Sequence, residues 1–210
     1  MKSYIIEGGR KLEGEVYVSG SKNASLPIIA ACILNKGVTK LYNVPKIEDT
    51  KIMFQILKNL GCIVKKNNAK VTIDARNIKK YEIPEELMRK MRSSVILAGA
   101  ILGRCKKVVF THPGGCDIGS RPIDLHLFAF EKLGINVTEV SGHIECSCDT
   151  ILGAEMNLDF PSVRSNGKCN FIISFGRRQN SYKKCSYGTR NSGFTRVFKQ
   201  NGSKDRGSRK

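Results

Sequence analysis

Residues 49–61 read DTKIMFQILKNLG, and residues 124–134 read DLHLFAFEKLG. Both stretches begin with aspartate, place apolar residues at helical spacing and end in Leu-Gly. Each therefore predicts an amphipathic helix that stops at a glycine in the left-handed conformation. The two Leu-Gly stops lie 73 residues apart, and such a spacing predicts a structural repeat.

The segments on either side of these helices repeat as well. Each helix follows an apolar helix of small residues and a strand, and it precedes two strands joined by a turn, at Asn67-Asn68 or at Ser141-Gly142. The first set comprises LPIIAACIL (26–34), VTKLYNV (38–44), CIVKK (62–66) and AKVTIDA (69–75), and the second comprises SSVILAGAIL (93–102), KVVFTHP (107–113), INVTEV (135–140) and HIECSCD (143–149). The sequence thus predicts an α/β fold of repeated helix-strand-helix-strand-strand units, with two units over about residues 20–150 and a third beginning near residue 151.

Composition limits the class of protein. The chain has 210 residues, of which 40% are hydrophobic, and this is enough for a packed core. Its longest apolar run lies between Arg92 and Arg104 and is shorter than the roughly 18 to 20 residues that a membrane span needs. The N-terminus lacks the apolar region of a signal peptide. We therefore expect a cytoplasmic protein with no membrane partner and with reduced cysteines.

The last quarter of the chain differs from the rest in charge. The net charge is +18, and residues 164–210 hold 13 Lys and Arg against a single acid, Asp205. The helical and strand periodicities do not continue there. A basic tail can bind RNA or DNA, but neither a recognisable module nor aromatic stacking platforms support that reading. We therefore do not expect nucleic acid as a partner.

A change of reading frame explains the break. If one base is lost within the codon of Arg164, codons compatible with the tail can be read as a helix, a strand, the acidic helix EPEIVDLQEFLNKMG and the start of another strand. That is the missing third repeat. We interpret residues 164–210 as an aberrant, disordered basic tail on a truncated chain. A genuine tail that binds nucleic acid is the alternative.

Three further stretches carry a resemblance to a known family: GSKNASLP (20–27), RSSVILAGAILGR (92–104) and PGGCDIGSRPIDLH (113–126). With the repeats, they resemble the enolpyruvyl transferases, most closely the branch that uses UDP-N-acetylglucosamine and has a Pro-Gly-Gly-Cys loop. The resemblance implies an inside-out α/β barrel and two similar domains of three units each, with substrates bound in the cleft between them.

The same resemblance implies the division of the chain. Residues 1–163 would form the domain with the catalytic loop, with two complete repeats and an incomplete third. The N-terminal strand and the distal half of a full-length chain would build the second domain, and this chain lacks that half. A general-base aspartate and a further arginine would come from the missing half, so we expect little or no activity from this chain unless a second chain complements it.

The implied reaction transfers the enolpyruvyl group of phosphoenolpyruvate to the 3′-hydroxyl of UDP-N-acetylglucosamine, the first committed step of peptidoglycan synthesis. The partners would be these two small molecules, and no cofactor would be needed. Two other functions stay open. One is a folded half that binds the nucleotide-sugar without turnover, and the other is an RNA-binding protein built on an enzyme remnant.

Cys116 is the candidate catalytic residue. Gly114, Gly115 and Gly119 give its loop a flexible backbone, and the nearby Arg121 favours the thiolate. A buried structural cysteine is the usual alternative, and we expect it at the positions Cys32, Cys62, Cys105, Cys146 and Cys148. In the resemblance, the residue matching Cys116 donates a proton to the enolpyruvyl carbon and can form an adduct with phosphoenolpyruvate.

Lys22 and Asn23 follow Ser-Gly-Ser and open a helix. A helix start offers free N–H groups and the positive end of the helix dipole, to which the ammonium adds charge, so an anion could bind there. An ordinary helix start with an exposed lysine is the alternative. The resemblance implies that Lys22 holds phosphoenolpyruvate and that Asn23 contacts the amino-sugar.

Arg92 and Arg121 are candidate clamps for carboxylate and phosphate groups, because a guanidinium binds planar anions with two parallel hydrogen bonds. Arg92 could instead only mark a helix start. The resemblance implies further substrate-binding residues, namely Pro122, Ile123, Asp124 and Leu125 around the uracil and Ser162 and Val163 at the diphosphate. The glycine expected after Val163 is Arg164 in this chain.

A metal site is not expected. His143, Cys146 and Cys148 lie close together, but the sequence contains no CxxC pair. Alternate residues of a strand point to opposite faces, so the two cysteines would share one face and the histidine would take the other.

Overall fold

The structure, a computed structural model, describes residues 3–9, 11, 13–67, 70–91, 95–113, 123–152, 155–157 and 181–183. Its helices are α1 (Lys22–Ala31), α2 (Glu48–Asn59), α3 (Glu85–Lys90), α4 (Val95–Cys105) and α5 (Asp124–Lys132). Its strands are β1 (Val38–Tyr42), β2 (Ile63–Asn67), β3 (Lys70–Asp74), β4 (Lys107–Thr111), β5 (Asn136–Val140), β6 (His143–Ser147), β7 (Glu155–Asn157) and β8 (Ser181–Lys183).

The predicted repeat is confirmed by two sheets with the same strand order. β1, β3 and β2 form one antiparallel sheet, and β4, β6 and β5 form the other. In each sheet the third strand of the unit lies in the centre, because it forms a hairpin with the second strand and pairs with the first on its other side. Both units therefore follow the predicted order of helix, strand, helix, strand and strand.

The glycines that end two helices and the second hairpin turn take the predicted conformations, whereas the predicted turn at Asn67-Asn68 includes Asn68, which lies outside the described residues. Gly61 and Gly134, which follow α2 and α5, have φ angles of 107° and 75°. This is the left-handed glycine that commonly ends a helix. Ser141 and Gly142 have φ angles of 53° and 77°, as expected of a two-residue hairpin whose central residues both have positive φ.

Gly61 should tolerate a side chain less well than Gly142. An alanine Cβ at Gly61 would lie 2.7 Å from the carbonyl oxygen of Asn77, whereas one at Gly142 would meet no atom within 4 Å. Both substitutions carry the cost of positive φ, so Gly142→Ala is a matched control. We expect Gly61→Ala to lower the free energy of unfolding by about 1 to 2 kcal/mol more than Gly142→Ala does. Urea denaturation would measure both, and equal losses would contradict the contact with Asn77.

The two apolar helices lie at the centre of the fold. All residues from Leu97 to Gly103 of α4 are buried, as are most residues in the second half of α1, and α1 contacts α4. The sheets are more exposed: along β2 and β5 only one residue in five is even partly buried. Helices inside and sheets outside are the arrangement that the predicted inside-out α/β barrel requires.

The second unit has an additional short extended segment beside β4 that the sequence pattern did not predict. The N–H of Ile83 donates to the carbonyl of Val109 at 2.9 Å, and the N–H of Val109 donates to the carbonyl of Tyr81 at 3.1 Å. Residues 81–83 therefore run parallel to β4 through a bridge at Glu82. This segment was missed because three residues before Pro84 are too few to show a strand period.

β7 and β8 pair in parallel. The rest of the predicted third repeat and of the basic tail lies outside the described residues. Among the helices of the ranges that the structure covers, none is long and apolar enough to cross a membrane.

Candidate functional site

The start of α1 presents the two residues predicted to bind anions. Lys22 and Asn23 are the first two residues of the helix, and both are exposed. Ser21 precedes them with an extended backbone, and its side chain makes no capping hydrogen bond. The first turn contains no acidic residue. The amide groups at this helix start, together with the Lys22 ammonium, have the chemistry of an anion-binding site.

Gly20 allows the segment before α1 to touch the loop before α2. A Cβ at Gly20 would lie 2.0 Å from the carbonyl oxygen of Asn43 and 3.2 Å from Cδ of Pro45. That loop is fixed in turn by the buried Thr50 of α2, whose hydroxyl lies 2.8 Å from the carbonyl oxygens of both Pro45 and Ile47. The starts of α1 and α2 are thus held side by side.

An ion pair joins the two helix starts. Nζ of Lys22 lies 2.6 Å from Oδ2 of Asp49, and the Lys22 side chain is 51% exposed against 26% for Asp49. The neighbouring acid, Glu48, pairs instead with Lys51 within α2, at 2.9 Å. The ion pair of Asp49 could not be predicted from the sequence, because an acid in the first turn of a helix is explained by the helix dipole alone.

Three of the residues predicted to surround the uracil lie at the start of α5, in the second unit. Asp124 is exposed in the first turn, whereas Ile123 before it is 6% exposed and belongs to the core. Leu125 lies in α5 as well. At the end of β4, Nε2 of His112 lies 3.1 Å from Oε1 of Glu139, two residues before the glycines of the cysteine loop.

The other predicted site residues lie outside the described ranges. They are Cys116, Arg92, Arg121, Pro122, Ser162 and Val163. Their roles stay predictions, as do those of Lys22, Asn23, Ile123, Asp124 and Leu125.

The five cysteines that the structure describes are poor nucleophiles. Burial raises the pKa of Cys32 to about 12, that of Cys62 to about 11 and that of Cys146 to about 12. Burial also raises the pKa of the partly buried Cys105 and Cys148. At neutral pH all five are thiols, which agrees with the structural role predicted for them. Within the ranges described, no three His, Cys, Asp or Glu side chains are grouped so that they could hold a metal ion.

Comparison with protein families finds a match over residues 6–174 to the family described as EPSP synthase (3-phosphoshikimate 1-carboxyvinyltransferase). The chain is 48% identical over 163 residues to UDP-N-acetylglucosamine 1-carboxyvinyltransferase 2 of Caldanaerobacter subterraneus subsp. tengcongensis. It is 44% identical over 163 residues to UDP-N-acetylglucosamine 1-carboxyvinyltransferase of Desulfatibacillum aliphaticivorans. Each alignment covers 78% of this chain but only 39% of the relative.

Solved structures share the fold. The enolpyruvyl transferase NikO from Streptomyces tendae matches with a TM-score of 0.77 and 16% identity, over 91% of this chain and 45% of its own. An EPSP synthase from Acinetobacter baumannii matches with a TM-score of 0.67 and 16% identity, over 87% of this chain and 42% of its own. At this identity the likeness concerns the fold alone, and it agrees with the predicted α/β architecture.

Proposed function

Because the chain belongs to the EPSP synthase (3-phosphoshikimate 1-carboxyvinyltransferase) family, we propose that it is the N-terminal part of an enolpyruvyl transferase that acts on UDP-N-acetylglucosamine. The observation that carries the choice of acceptor is the 48% identity to a relative named for that substrate. The product would enter peptidoglycan synthesis, which links the protein to cell wall biogenesis, cell shape and division. We place this function in the cytoplasm.

The chemistry is addition followed by elimination. The 3′-hydroxyl oxygen of the sugar loses its proton and bonds to C2 of phosphoenolpyruvate, while C3 gains a proton. C3 then loses a proton as the bond from C2 to the phosphate oxygen breaks, so that phosphate leaves and the double bond re-forms. We assign the protonation of C3 to Cys116.

Both substrates are polyanions, so their charges must be compensated before the reacting atoms can meet. The exposed Lys22 at the start of α1 supports a role in binding phosphoenolpyruvate, and the adjacent Asn23 would contact the sugar. Arg92 and Arg121 would bind carboxylate and phosphate groups. Pro122, Ile123, Asp124 and Leu125 would surround the uracil, with Ser162 and Val163 at the diphosphate.

The chain spans about 39% of the length of the curated relatives it matches. A general base from the remaining part would be needed for turnover. The exposed apolar residues near the N-terminus support the idea that a further domain covers them: Tyr4 is 93% exposed and Tyr17 is 94% exposed. We therefore propose that this chain alone binds substrates with little or no turnover, and that a chain carrying the second domain would complement it.

Ligand protection of Cys116 tests the proposal. The 210-residue chain would be treated with iodoacetamide at neutral pH, with and without UDP-N-acetylglucosamine and phosphoenolpyruvate, and each cysteine followed by mass spectrometry. We expect Cys116 to react faster than the five buried or partly buried cysteines of the described residues, and both substrates together to slow its reaction. The buried Cys32 and Cys146 are internal controls, because their pKa values are raised to about 12. Unchanged labelling of Cys116 with both substrates would contradict the proposal.

A second candidate function is RNA binding by the tail. Residues 164–210 contain 13 basic residues and one acid. If the tail binds RNA, binding should weaken steeply with salt and disappear when residues 164–210 are deleted. The preferred proposal takes the tail to be a product of a shifted reading frame, so any RNA binding by it would be nonspecific attraction between its positive charge and the phosphates. Sequencing the DNA across codons 160–170 decides between them: an open frame that continues the repeats supports the shift, and its absence contradicts it.

A further inference from the structure

We propose that Asp49 is a positioning residue, which holds the Lys22 ammonium at the start of α1 so that it can meet the phosphate group of phosphoenolpyruvate. This inference rests on the proposed function and adds to it a residue from the neighbouring helix. The geometry that carries it is the 2.6 Å contact between Nζ of Lys22 and Oδ2 of Asp49.

Lysine is a poor anion-binding residue unless something fixes it. Its ammonium is a point charge on a flexible four-carbon chain, and the freedom of that chain is lost when a ligand binds. Half of the Lys22 side chain is in solvent, so the core does not fix it. The contact with Asp49 restricts the side chain before the ligand arrives, which reduces the entropy that binding costs.

Asp49 is suited to this role by its own fixed position. It lies in the first turn of α2, where the helix dipole stabilises a carboxylate. It is about three-quarters buried, and it precedes Thr50, whose hydroxyl fixes the loop at Pro45. The close approach of Gly20 to Asn43 brings the α1 start to the same place. The ammonium keeps further hydrogen-bonding capacity for a phosphate oxygen, since it has three donors.

The adjacent Glu48 is a matched control. It occupies the same first turn of α2 and also forms an ion pair, but with Lys51 of its own helix. Removing either acid costs α2 a favourable charge at its N-terminus. Only the removal of Asp49 releases Lys22.

The test is isothermal titration of the 210-residue chain with phosphoenolpyruvate at saturating UDP-N-acetylglucosamine. We expect Asp49→Ala to weaken binding about two- to fivefold, Asp49→Glu to restore most of it, and Glu48→Ala to leave it unchanged. In a Lys22→Ala background, Asp49→Ala should have no further effect, because the residue through which it acts is gone. A purely structural role would change Glu48→Ala and Asp49→Ala alike and would persist without Lys22.

Asp49→Ala that binds as tightly as wild type, or more tightly, would overturn the positioning role while the proposed function stands. So would an equal loss in Glu48→Ala. Absence of phosphoenolpyruvate binding by the wild-type chain would overturn the proposed function for this chain, and the positioning role with it.

Discussion

Replacing Gly20 with alanine should destabilise the fold by about 3 kcal/mol and weaken phosphoenolpyruvate binding about tenfold or more. The added Cβ would lie 2.0 Å from the carbonyl oxygen of Asn43, which is backbone and cannot swing away as a side chain could. The segment before α1 and the loop before α2 must therefore separate. Because Lys22 and Asp49 are joined across that contact, the separation should both break their ion pair and move Lys22 itself, so the expected loss of binding exceeds that of Asp49→Ala.

Gly37→Ala is the matched control for this prediction. Gly37 lies in the same unit, and its added Cβ would meet only the Asn35 side chain, at 3.2 Å, which can move. Urea denaturation and isothermal titration with phosphoenolpyruvate would be measured on both variants and on wild type. Gly20→Ala that binds as wild type does would show that the contact with Asn43 does not set the position of Lys22.

The chain should lose stability as the pH rises from about 9 towards 12. Burial raises the pKa of Cys32 and of Cys146 to about 12, from 9.0 in the unfolded chain. Below pH 9 both states hold the thiol proton, so the contribution is fully present. Above pH 9 the unfolded chain releases protons that the folded chain keeps, so unfolding becomes easier. By pH 11 the loss should be about 2 to 3 kcal/mol for each of these two thiols.

Urea denaturation at pH 8, 9, 10 and 11 measures this loss. Other groups titrate in the same range, so the informative quantity is the difference in pH slope between variants. Cys32→Ala should flatten the slope, although a cavity will lower its stability at every pH. Cys148→Ala is the control, because that thiol is only partly buried and its removal should change the slope little. Equal slopes in wild type and Cys32→Ala would rule out the buried thiol as the cause.

Much of the fold could be predicted because its signals are local. The Leu-Gly stops after α2 and α5, the Ser141-Gly142 turn and the apolar runs of α1 and α4 each follow from a few adjacent residues. The repeat made these predictions stronger, because the same order of helices and strands occurs twice, and each predicted element is supported by its counterpart in the other unit. The extended residues 81–83 escaped prediction because their only signal is pairing with the distant Val109.

The candidate site likewise has a part that the sequence predicted and a part that only the structure shows. The position of Lys22 and Asn23 at a helix start could be predicted from the amino-acid sequence. The partner of Lys22 could not, because Asp49 lies 27 positions away and looks like an ordinary first-turn acid. Glu48 has the same local signature and a different partner, so no local rule separates the two.

The sequence by itself determined the repeated α/β units, the helix ends and the family resemblance, and it predicted anion binding at the α1 start. Backbone preferences, hydrophobic period and motif spacing are properties of neighbouring residues, so they can be read without the tertiary structure. Only the tertiary structure decided that α1 and α4 meet in the centre, that Gly20 lies against Asn43, and that Asp49 rather than Glu48 holds Lys22. Those facts depend on how distant segments approach one another, and packing in three dimensions fixes such distances.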